Sequence, residues 1–366
     1  MKEEITEETV SQILPHFSIQ GTLTKIVRNT QGHINDSFKV TTDKTNYFVQ
    51  RISPIAFKEP VKVMENIDLV TQHLSKKIRA EGGNPAEECL NIIPAKDGKP
   101  YFLDEFGHCW RVYLFLDGKA LDAPRNLHDF EEAGYAFGRF QYLLSDFDPS
   151  KLFEVIPHFH DTPKRYRDLE AAIARDKMGR VKECEEEIAF CRARKNNLSK
   201  VTDGLENGTL PLRITHNDTK LNNVMFDLTS GKATAVIDLD TVMPGSPLYD
   251  FGDAIRFGAN RGKEDEKDLA NVSFDIERFK AYLRGFLRGA KGAFIKEEIS
   301  LFGYASALMT FECGSRFLAD YLDGDVYFHI AYPEHNLVRA RDQFALVKSI
   351  EDSEADINEA LAPYLK

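Results

Sequence analysis

The feature that most constrains the fold is a change of hydrophobic period near residue 117. Upstream of it, short runs rich in β-branched and aromatic residues alternate with polar turns, which predicts an antiparallel sheet. The predicted strands are 22–27, 37–42, 46–52, 100–104 and 109–116. A short amphipathic helix is predicted at 4–14, and Pro60 opens a second one because proline is favoured in a first helical turn.

Downstream of residue 127 the apolar period is mainly helical. The predicted helices are 127–145, 163–176, 180–206, 275–290, 294–322 and 333–364, with one β-rich interruption at 211–240. The chain is therefore expected to be an α+β protein with two lobes. The smaller, sheet-containing lobe is expected at 1–117 and the larger, mainly helical lobe at 118–366.

Composition excludes several classes of protein. Of 366 residues, 42% are hydrophobic, which is enough for a substantial core, and the net charge of −11 disfavours a nucleic-acid partner. No stretch approaches the roughly 18 unbroken apolar residues that span a bilayer, so no membrane association is expected. The acidic start and five cysteines without CxxC spacing predict a cytoplasmic protein with reduced thiols. The protein is expected to be a monomer or a weak homodimer.

One stretch between the helical segments contains polar residues of the types that bind metals and act as catalytic bases. His216 and Asp218 are followed, after four residues, by Asn223, and a later hydrophobic run ends in Asp238 and Asp240. Amide and carboxylate oxygens suit Mg²⁺, which keeps waters and takes phosphate oxygens as its other ligands. Asp218 then fits a base that accepts a hydroxyl proton during phosphoryl transfer.

Whether Asn223 meets Asp238 depends on the register of the predicted hairpin between them. If an even-length turn is centred on Ser230-Gly231, facing residues have numbers that sum to 461, and Asn223 faces Asp238. An odd-length loop slips the register by one residue and turns the pair away.

These residues also carry a family resemblance. The patterns HNDTKLNN at 216–223, IDLD at 237–240 and DFGD at 250–253 resemble the aminoglycoside phosphotransferase and choline kinase superfamily, which has a two-lobed protein-kinase-like fold. A closer resemblance is to bacterial N-acetylhexosamine 1-kinases. It rests on GHIN (32–35), WRVYLF (110–115), HFHDTPKR (158–165), ECGSRFLADYLDGD (312–325) and YPEHNLVR (332–339).

The closer resemblance implies an enzyme that uses ATP and Mg²⁺ to phosphorylate the anomeric C1 hydroxyl of N-acetylglucosamine or N-acetylgalactosamine. The catalytic base of that family matches Asp218, and His216 matches a residue that shapes the loop. The metal ligands match Asn223, Asp238 and, more weakly, Asp240. The sugar contacts match His33, Asn35, Asp218 and Arg316.

The nucleotide site departs from the usual kinase pattern. Many kinases carry a phosphate-binding lysine on the third strand, but Gln50 matches that position, with Arg51 on the opposite face. The acidic partner on the following helix is then Glu65, Asp68 or neither. Adenine is expected at the hinge after WRVYLF, near Phe115 and Leu116.

Two alternatives stay open. The acceptor of a kinase of this superfamily could be another hexose or an amino alcohol such as choline or ethanolamine, although GHIN and Arg316 suit a neutral sugar better than a cation. The second alternative is a nucleotide-binding pseudokinase, for which Gln50 is the argument.

Overall fold

The computed structural model describes residues 5–30 and 34–366, and the chain divides into two compact units. The first unit comprises Met1–Ala120, Asp146–Ile156 and Asn223–Pro244. The second comprises Leu121–Ser145, Pro157–Asn222 and Gly245–Lys366. Neither unit is a continuous stretch of chain, and the predicted boundary after residue 117 stays a prediction.

A five-stranded antiparallel sheet with the order β1-β2-β3-β5-β4 forms the centre of the first unit. Its strands are β1 (Leu23–Asn29), β2 (Asp36–Thr42), β3 (Asn46–Arg51), β4 (Phe102–Leu103) and β5 (Cys109–Leu114). All five predicted strands are confirmed, although the run at 100–104 supplies only two strand residues. The predicted sugar contact His33 lies outside the described residues.

Helices flank this sheet. Helix α1 (Glu7–Ile13) contributes Val10 and Ile13 to a core that also contains Val49 and Val112 of the sheet. Helix α2 (Pro60–Ala80) begins at the predicted proline and buries Val63, Ile67, Val70 and Leu74 along one face. A short helix α3 (Pro85–Glu88) follows, capped by the side chain of Asn84.

A second, three-stranded antiparallel sheet with the order β6-β8-β9 completes the first unit. Its strands are β6 (Lys119–Ala120), β8 (Val224–Phe226) and β9 (Ala233–Val236). Two further short strands are β7 (Arg213–Thr215) and β10 (Met243–Gly245).

The second unit is mainly helical, as predicted. Its helices are α4 (Leu127–Leu143), α5 (Thr162–Arg175), α6 (Glu185–Arg194), α7 (Lys200–Asn207), α8 (Pro247–Gly258), α9 (Ile276–Ala290), α10 (Lys296–Ser300), α11 (Phe302–Asp323), α12 (His335–Asp352) and α13 (Glu354–Leu361). Three of the predicted helices are interrupted. The helix predicted at 180–206 is interrupted between α6 and α7, the one at 294–322 at Leu301 between α10 and α11, and the one at 333–364 at Ser353. In the described part of the chain, no helix is both long and apolar enough to cross a membrane.

Helices α4 and α9 pack at unusually short range because four glycines lie at their contact. A Cβ on Gly138 or Gly285 would collide with the backbone carbonyl of Phe286 or Glu131 on the other helix. Gly134 and Gly289 are blocked in the same way. Glycine costs helix propensity at each of these positions, and the close approach of the two backbones compensates for it.

Candidate active site

The hairpin of β8 and β9 does not have the register that would place Asn223 opposite Asp238. Val224 faces Val236 and Met225 faces Ala235, so facing residues sum to 460 rather than 461. The residue opposite Asn223 is consequently Ile237, whose N–H donates to the Asn223 carbonyl at 2.9 Å. Of the two registers that the sequence leaves open, the structure has the slipped one, so Asn223 does not lie directly opposite Asp238.

Two local features shift the register. The turn is closed between Asp227 and Lys232, and the Asp227 carboxylate accepts from the backbone of Thr229 and Ser230, which centres the turn one residue early. A β-bulge then places Thr234 outside the pairing, with its hydroxyl donating to the Met225 carbonyl at 3.1 Å. Sequence patterns rarely locate bulges, because the extra residue looks like any other strand residue.

Asp238 nevertheless lies at the same end of the hairpin as Asn223. Asp238 is two positions after the end of β9, and Asn223 directly precedes the start of β8. Its backbone is left-handed, with φ 59° and ψ 61°, and it opens a single turn of 3₁₀ helix at Leu239–Thr241. Non-glycine residues adopt this conformation rarely, and such strain concentrates at functional sites. Asp238 is exposed and Asn223 is buried.

Asp240, two residues further on, is buried and paired. Its side chain is 7% exposed and forms a salt bridge through Oδ1 with Nη1 of Arg111 on β5. Its other oxygen accepts from Asn35 Nδ2 at 2.7 Å. Asn35 is itself anchored, because its Oδ1 accepts from the backbone N–H of Ser53 at 2.9 Å.

Gln50 forms part of a polar row across the first sheet. It lies between Ser37 of β2 and Arg111 of β5, directly opposite both. Its Nε2 donates to Ser37 Oγ and its Oε1 accepts from Arg111 Nε, each at 2.9 Å. Arg51 lies on the other face, where it pairs with Asp36.

Among the described residues, helix α2 presents no acidic side chain to Arg111. Glu65 is exposed, and Asp68 accepts a hydrogen bond from Gln72 one turn along the helix. The residue that α2 presents to Arg111 is Met64, whose sulfur lies 3.9 Å from Nη1. Of the three possibilities left open by the sequence, neither acid forms the pair.

The predicted adenine hinge follows β5 directly. The Phe115 N–H donates to the Asn46 carbonyl at 3.0 Å, and Lys39 Nζ lies 4.0 Å from the centre of its ring. Leu116 is buried, 7% exposed. Gln50 lies on β3, and Phe115 and Leu116 directly follow the adjacent strand β5; their shared role in binding the nucleotide stays a prediction.

In the second unit, the loop after β7 is held by Asp250 of α8. The backbone N–H groups of His216 and Asn217 donate to its two carboxylate oxygens at 3.0 and 2.8 Å. Gln141 of α4 donates to the same carboxylate at 2.8 Å and to the Ile214 carbonyl at 3.0 Å. Burial raises the pKa of Asp250, and these donors counteract that effect.

Asp253, one turn later, holds the other end of the loop. It accepts from the Thr219 N–H at 3.0 Å, while the Thr219 hydroxyl donates to the Asp250 carbonyl at 2.6 Å. Arg256 in turn binds Asp253 at 3.0 Å. The DFGD pattern lies within α8, which begins at Pro247 and is capped by the side chain of Ser246.

Asp218 lies at the centre of this fixed loop. The preceding residue, Asn217, is left-handed at φ 66°, and the Asp218 N–H donates to His216 Nδ1 at 3.3 Å. The Asp218 carboxylate pairs with Lys220 at 3.1 Å, and the pKa of Lys220 is raised, chiefly by that negative charge. His216 is fully buried against Phe137 and Phe140, which supports the predicted loop-shaping role.

A further buried pair fixes the loop from helix α11. His160 Nε2 lies 3.4 Å from the Asn217 carbonyl, and its Nδ1 lies 2.8 Å from Glu312. The Thr162 hydroxyl also donates to Glu312, at 2.6 Å. Burial alone would raise the pKa of Glu312, but His160 and Thr162 hold it below its ordinary value.

Arg316, one helical turn after Glu312, is surrounded by aromatic rings. Its guanidinium carbon lies 5.5 Å from the Phe159 ring, 5.7 Å from Tyr327 and 5.5 Å from Phe328. Within residues 5–30 and 34–366, its guanidinium forms no hydrogen bond or ion pair. Arg316 is therefore not an ordinary i,i+4 surface partner of Glu312, which is buried and contacts His160 and Thr162.

Sequence reasoning assigned no role to Arg111, Gln141, His160, Lys220 or Glu312. A polar side chain on the apolar face of a predicted element was the available signal for two of them. Gln141 interrupts the apolar face of a predicted helix, and Arg111 interrupts the most hydrophobic predicted strand. Buried polar groups need partners, so each predicts a specific contact without identifying it.

The donor set of the first unit fits Mg²⁺. Asn223 and Asp238 supply oxygen donors at one end of the hairpin, and Asp240 adds a carboxylate whose charge is already balanced by Arg111. Mg²⁺ needs only one or two protein carboxylates when phosphate oxygens and waters complete its shell.

Solved structures share this fold over the whole chain. A microcompartment-associated aminopropanol kinase is 14% identical, with a TM-score of 0.61, over 96% of this chain and 98% of its own. A spectinomycin phosphotransferase bound to ADP and spectinomycin is 10% identical, with a TM-score of 0.57, over 97% and 100%. An aminoglycoside phosphotransferase from Alicyclobacillus acidocaldarius is 12% identical, with a TM-score of 0.58, over 99% and 98%.

At these identities the similarity is one of fold, and the predicted protein-kinase-like architecture is confirmed. The family assignment rests on a sequence match instead. A family model described as the phosphotransferase enzyme family matches residues 25–287, which is well over half of the chain. The chain therefore belongs to the phosphotransferase enzyme family.

Proposed function

We propose that this phosphotransferase transfers the γ-phosphoryl group of ATP to the C1 hydroxyl of an N-acetylhexosamine. The observation that carries the proposal is Asp218, a carboxylate on a loop whose backbone is fixed by Asp250, Asp253 and His160. Such a group can accept the proton of an acceptor hydroxyl without moving, and preorganisation of this kind is the main contribution a protein makes to phosphoryl transfer.

Asn223 and Asp238, with Asp240 as a further candidate, hold Mg²⁺ in this proposal, and the bound ion neutralises charge on the phosphates. ATP is the proposed donor because related folds have been solved with adenine nucleotides bound, among them the ADP complex of the spectinomycin phosphotransferase. Adenine is proposed to bind beside Phe115 and Leu116.

The surroundings of Arg316 favour a neutral acceptor. Its N–H groups are available to sugar hydroxyls or an acetamide carbonyl, and the rings of Phe159 and Tyr327 offer flat apolar faces. Arg165 lies close enough that burial and the charge of Arg316 lower its pKa. Two neighbouring cations disfavour an amino alcohol or an aminoglycoside, because like charges repel strongly where water is scarce. His33 and Asn35 complete the proposed sugar contacts.

The test is an ADP-release assay over matched acceptors: N-acetylglucosamine, N-acetylgalactosamine, glucose, galactose, choline, ethanolamine and aminopropanol. We expect turnover with the two N-acetylhexosamines and a C1 phosphate in the ³¹P NMR spectrum of the product. Faster turnover of any amine would overturn the assignment of the acceptor.

Two variants locate the chemistry. Asp218→Asn is expected to abolish turnover while ADP still binds, since it removes only the proton acceptor. Arg316→Gln is expected to raise the KM for the sugar and leave the KM for ATP unchanged. Retained turnover in Asp218→Asn would contradict the role of Asp218.

A further inference from the structure

Arg111 is a buried cation in the first unit, on the strand next to Gln50. Its side chain is 2% exposed and therefore needs a charge partner. That partner is Asp240, which belongs to the segment proposed to bind the metal.

Gln50 orients the guanidinium of Arg111 and does not itself supply a positive charge. The two residues face each other across β3 and β5, and the amide oxygen of Gln50 accepts from Arg111 Nε. The amide nitrogen of Gln50 is held by Ser37. With Nε fixed, the guanidinium plane is set, and Nη1 reaches Asp240. A lysine at position 50 would bring a cation to this row but no fork of donors.

Asp240 is fixed from two sides as a result. Arg111 holds one of its oxygens and Asn35 holds the other. The segment that follows is also tied down, because the Val242 carbonyl accepts from Asn66 of α2 at 2.9 Å. The turn that begins at Asp238 is therefore anchored through Asp240 and through Val242.

We propose that Arg111 is the positioning residue for metal-dependent nucleotide binding, supplying from β5 the fixed cation that Gln50 does not supply from β3. It orients Asp240 and thereby sets the Asp238 turn for the metal. The inference rests on the ATP and Mg²⁺ part of the proposed function. It is independent of the identity of the acceptor.

The test compares two buried arginines of the same sheet. Arg111→Gln removes the proposed positioning residue, and Arg51→Gln removes a similarly buried arginine, 7% exposed, that pairs with Asp36 on the opposite face. Binding of a fluorescent ADP analogue is measured with Mg²⁺ and with EDTA, alongside urea unfolding. Both variants are expected to lose stability, because each removes a buried arginine from its carboxylate, although Asp36 keeps Arg28 and Asp240 keeps Asn35.

Only Arg111→Gln is expected to weaken Mg²⁺-dependent ADP binding, by about 10-fold or more, the usual effect of removing a group that orients a metal ligand. Its ADP affinity in EDTA is expected to match that of the wild type. Adding Gln50→Lys to Arg111→Gln is expected to restore part of the Mg²⁺-dependent affinity, since a cation returns to the same row. Equal Mg²⁺-dependent affinities in Arg111→Gln and Arg51→Gln would overturn the proposal.

If Arg111→Gln does not fold, Arg111→Lys carries the test, because it keeps the buried charge and loses the second donor direction. Unchanged Mg²⁺-dependent binding in that variant would overturn the proposal, and weakened binding would support it. Failure of every sugar as an acceptor would refute the proposed acceptor and leave this binding result intact.

Discussion

Asp240 in the first unit and Asp250 in the second are both buried, but their partners differ in charge. Asp240 faces a buried arginine, whereas Asp250 faces two backbone N–H groups and the neutral amide of Gln141. A charged partner fixes one side chain, and the pair is costly to break. Neutral backbone donors fix a stretch of main chain instead, which is what a loop carrying a proton acceptor requires.

The largest expected effect in this comparison comes from Asp250→Ala. The variant strands the N–H groups of His216 and Asn217 and the amide of Gln141, at a cost of roughly 3 kcal/mol or more in the free energy of unfolding. The loop is also released, so kcat is expected to fall about 100-fold, the scale of a 1 Å misplacement. Urea unfolding and ADP release measure the two effects. Asp250→Ala with wild-type kcat would show that the loop holds its own shape.

Glu312→Gln tests a further charged support of the same loop, the carboxylate that contacts His160. At neutral pH we expect a loss of about 2 kcal/mol, typical of a hydrogen bond to a charged group. Because the pKa of Glu312 is lowered in the folded state, its contribution is present above the ordinary value near 4.5 and is lost as the pH falls through the lowered one.

The difference in unfolding free energy between wild type and Glu312→Gln should therefore shrink as urea unfolding is repeated at decreasing pH below about 4.5. Glu186→Gln is the matched control, since Glu186 is exposed on the neighbouring helix α6. A difference that stays constant down to acid pH would mean that His160 does not stabilise the ionised carboxylate.

Gln141→Leu is expected to have a smaller effect, about 1 kcal/mol, because Asp250 keeps its two backbone donors. A modest drop in kcat should accompany it. Thermal unfolding and steady-state kinetics measure both. If Gln141→Leu proves as damaging as Asp250→Ala, the amide rather than the backbone N–H groups holds the carboxylate in place.

The smallest expected effect on stability is that of Lys220→Met. Its ion pair with Asp218 is partly exposed, at 37% and 30% for the two side chains. Exposed pairs contribute between about 0 and 1 kcal/mol and weaken with salt. Urea unfolding at low and high ionic strength should show little difference from wild type. A large loss would place this pair with Arg111 and Asp240 among the structural ion pairs.

The architecture was predictable because it follows from hydrophobic period. Alternating runs gave the five strands of the first sheet, and helical spacing gave the main helices of the second unit. The helix interruptions at Ser353 and between α6 and α7 were not predicted, because the residues on either side of each interruption keep the apolar period of a helix.

The site was predictable in its residue types and less so in its geometry. Asn223, Asp238 and Asp240 could be grouped by order along the chain, but the bulge at Thr234 and the left-handed backbone of Asp238 changed how they are presented. Arg111 and Gln141 depend on partners more than 60 residues away, and a single sequence contains no signal for such pairing.

The glycine contact between α4 and α9 has a consequence for engineering. Replacing helical glycine with alanine is a common way to raise thermal stability, because it restricts the unfolded chain. At Gly134, Gly138, Gly285 and Gly289 the added Cβ would meet backbone atoms of the other helix. A stabilisation programme that scores residues by helix propensity alone would therefore select four substitutions that force these two helices apart.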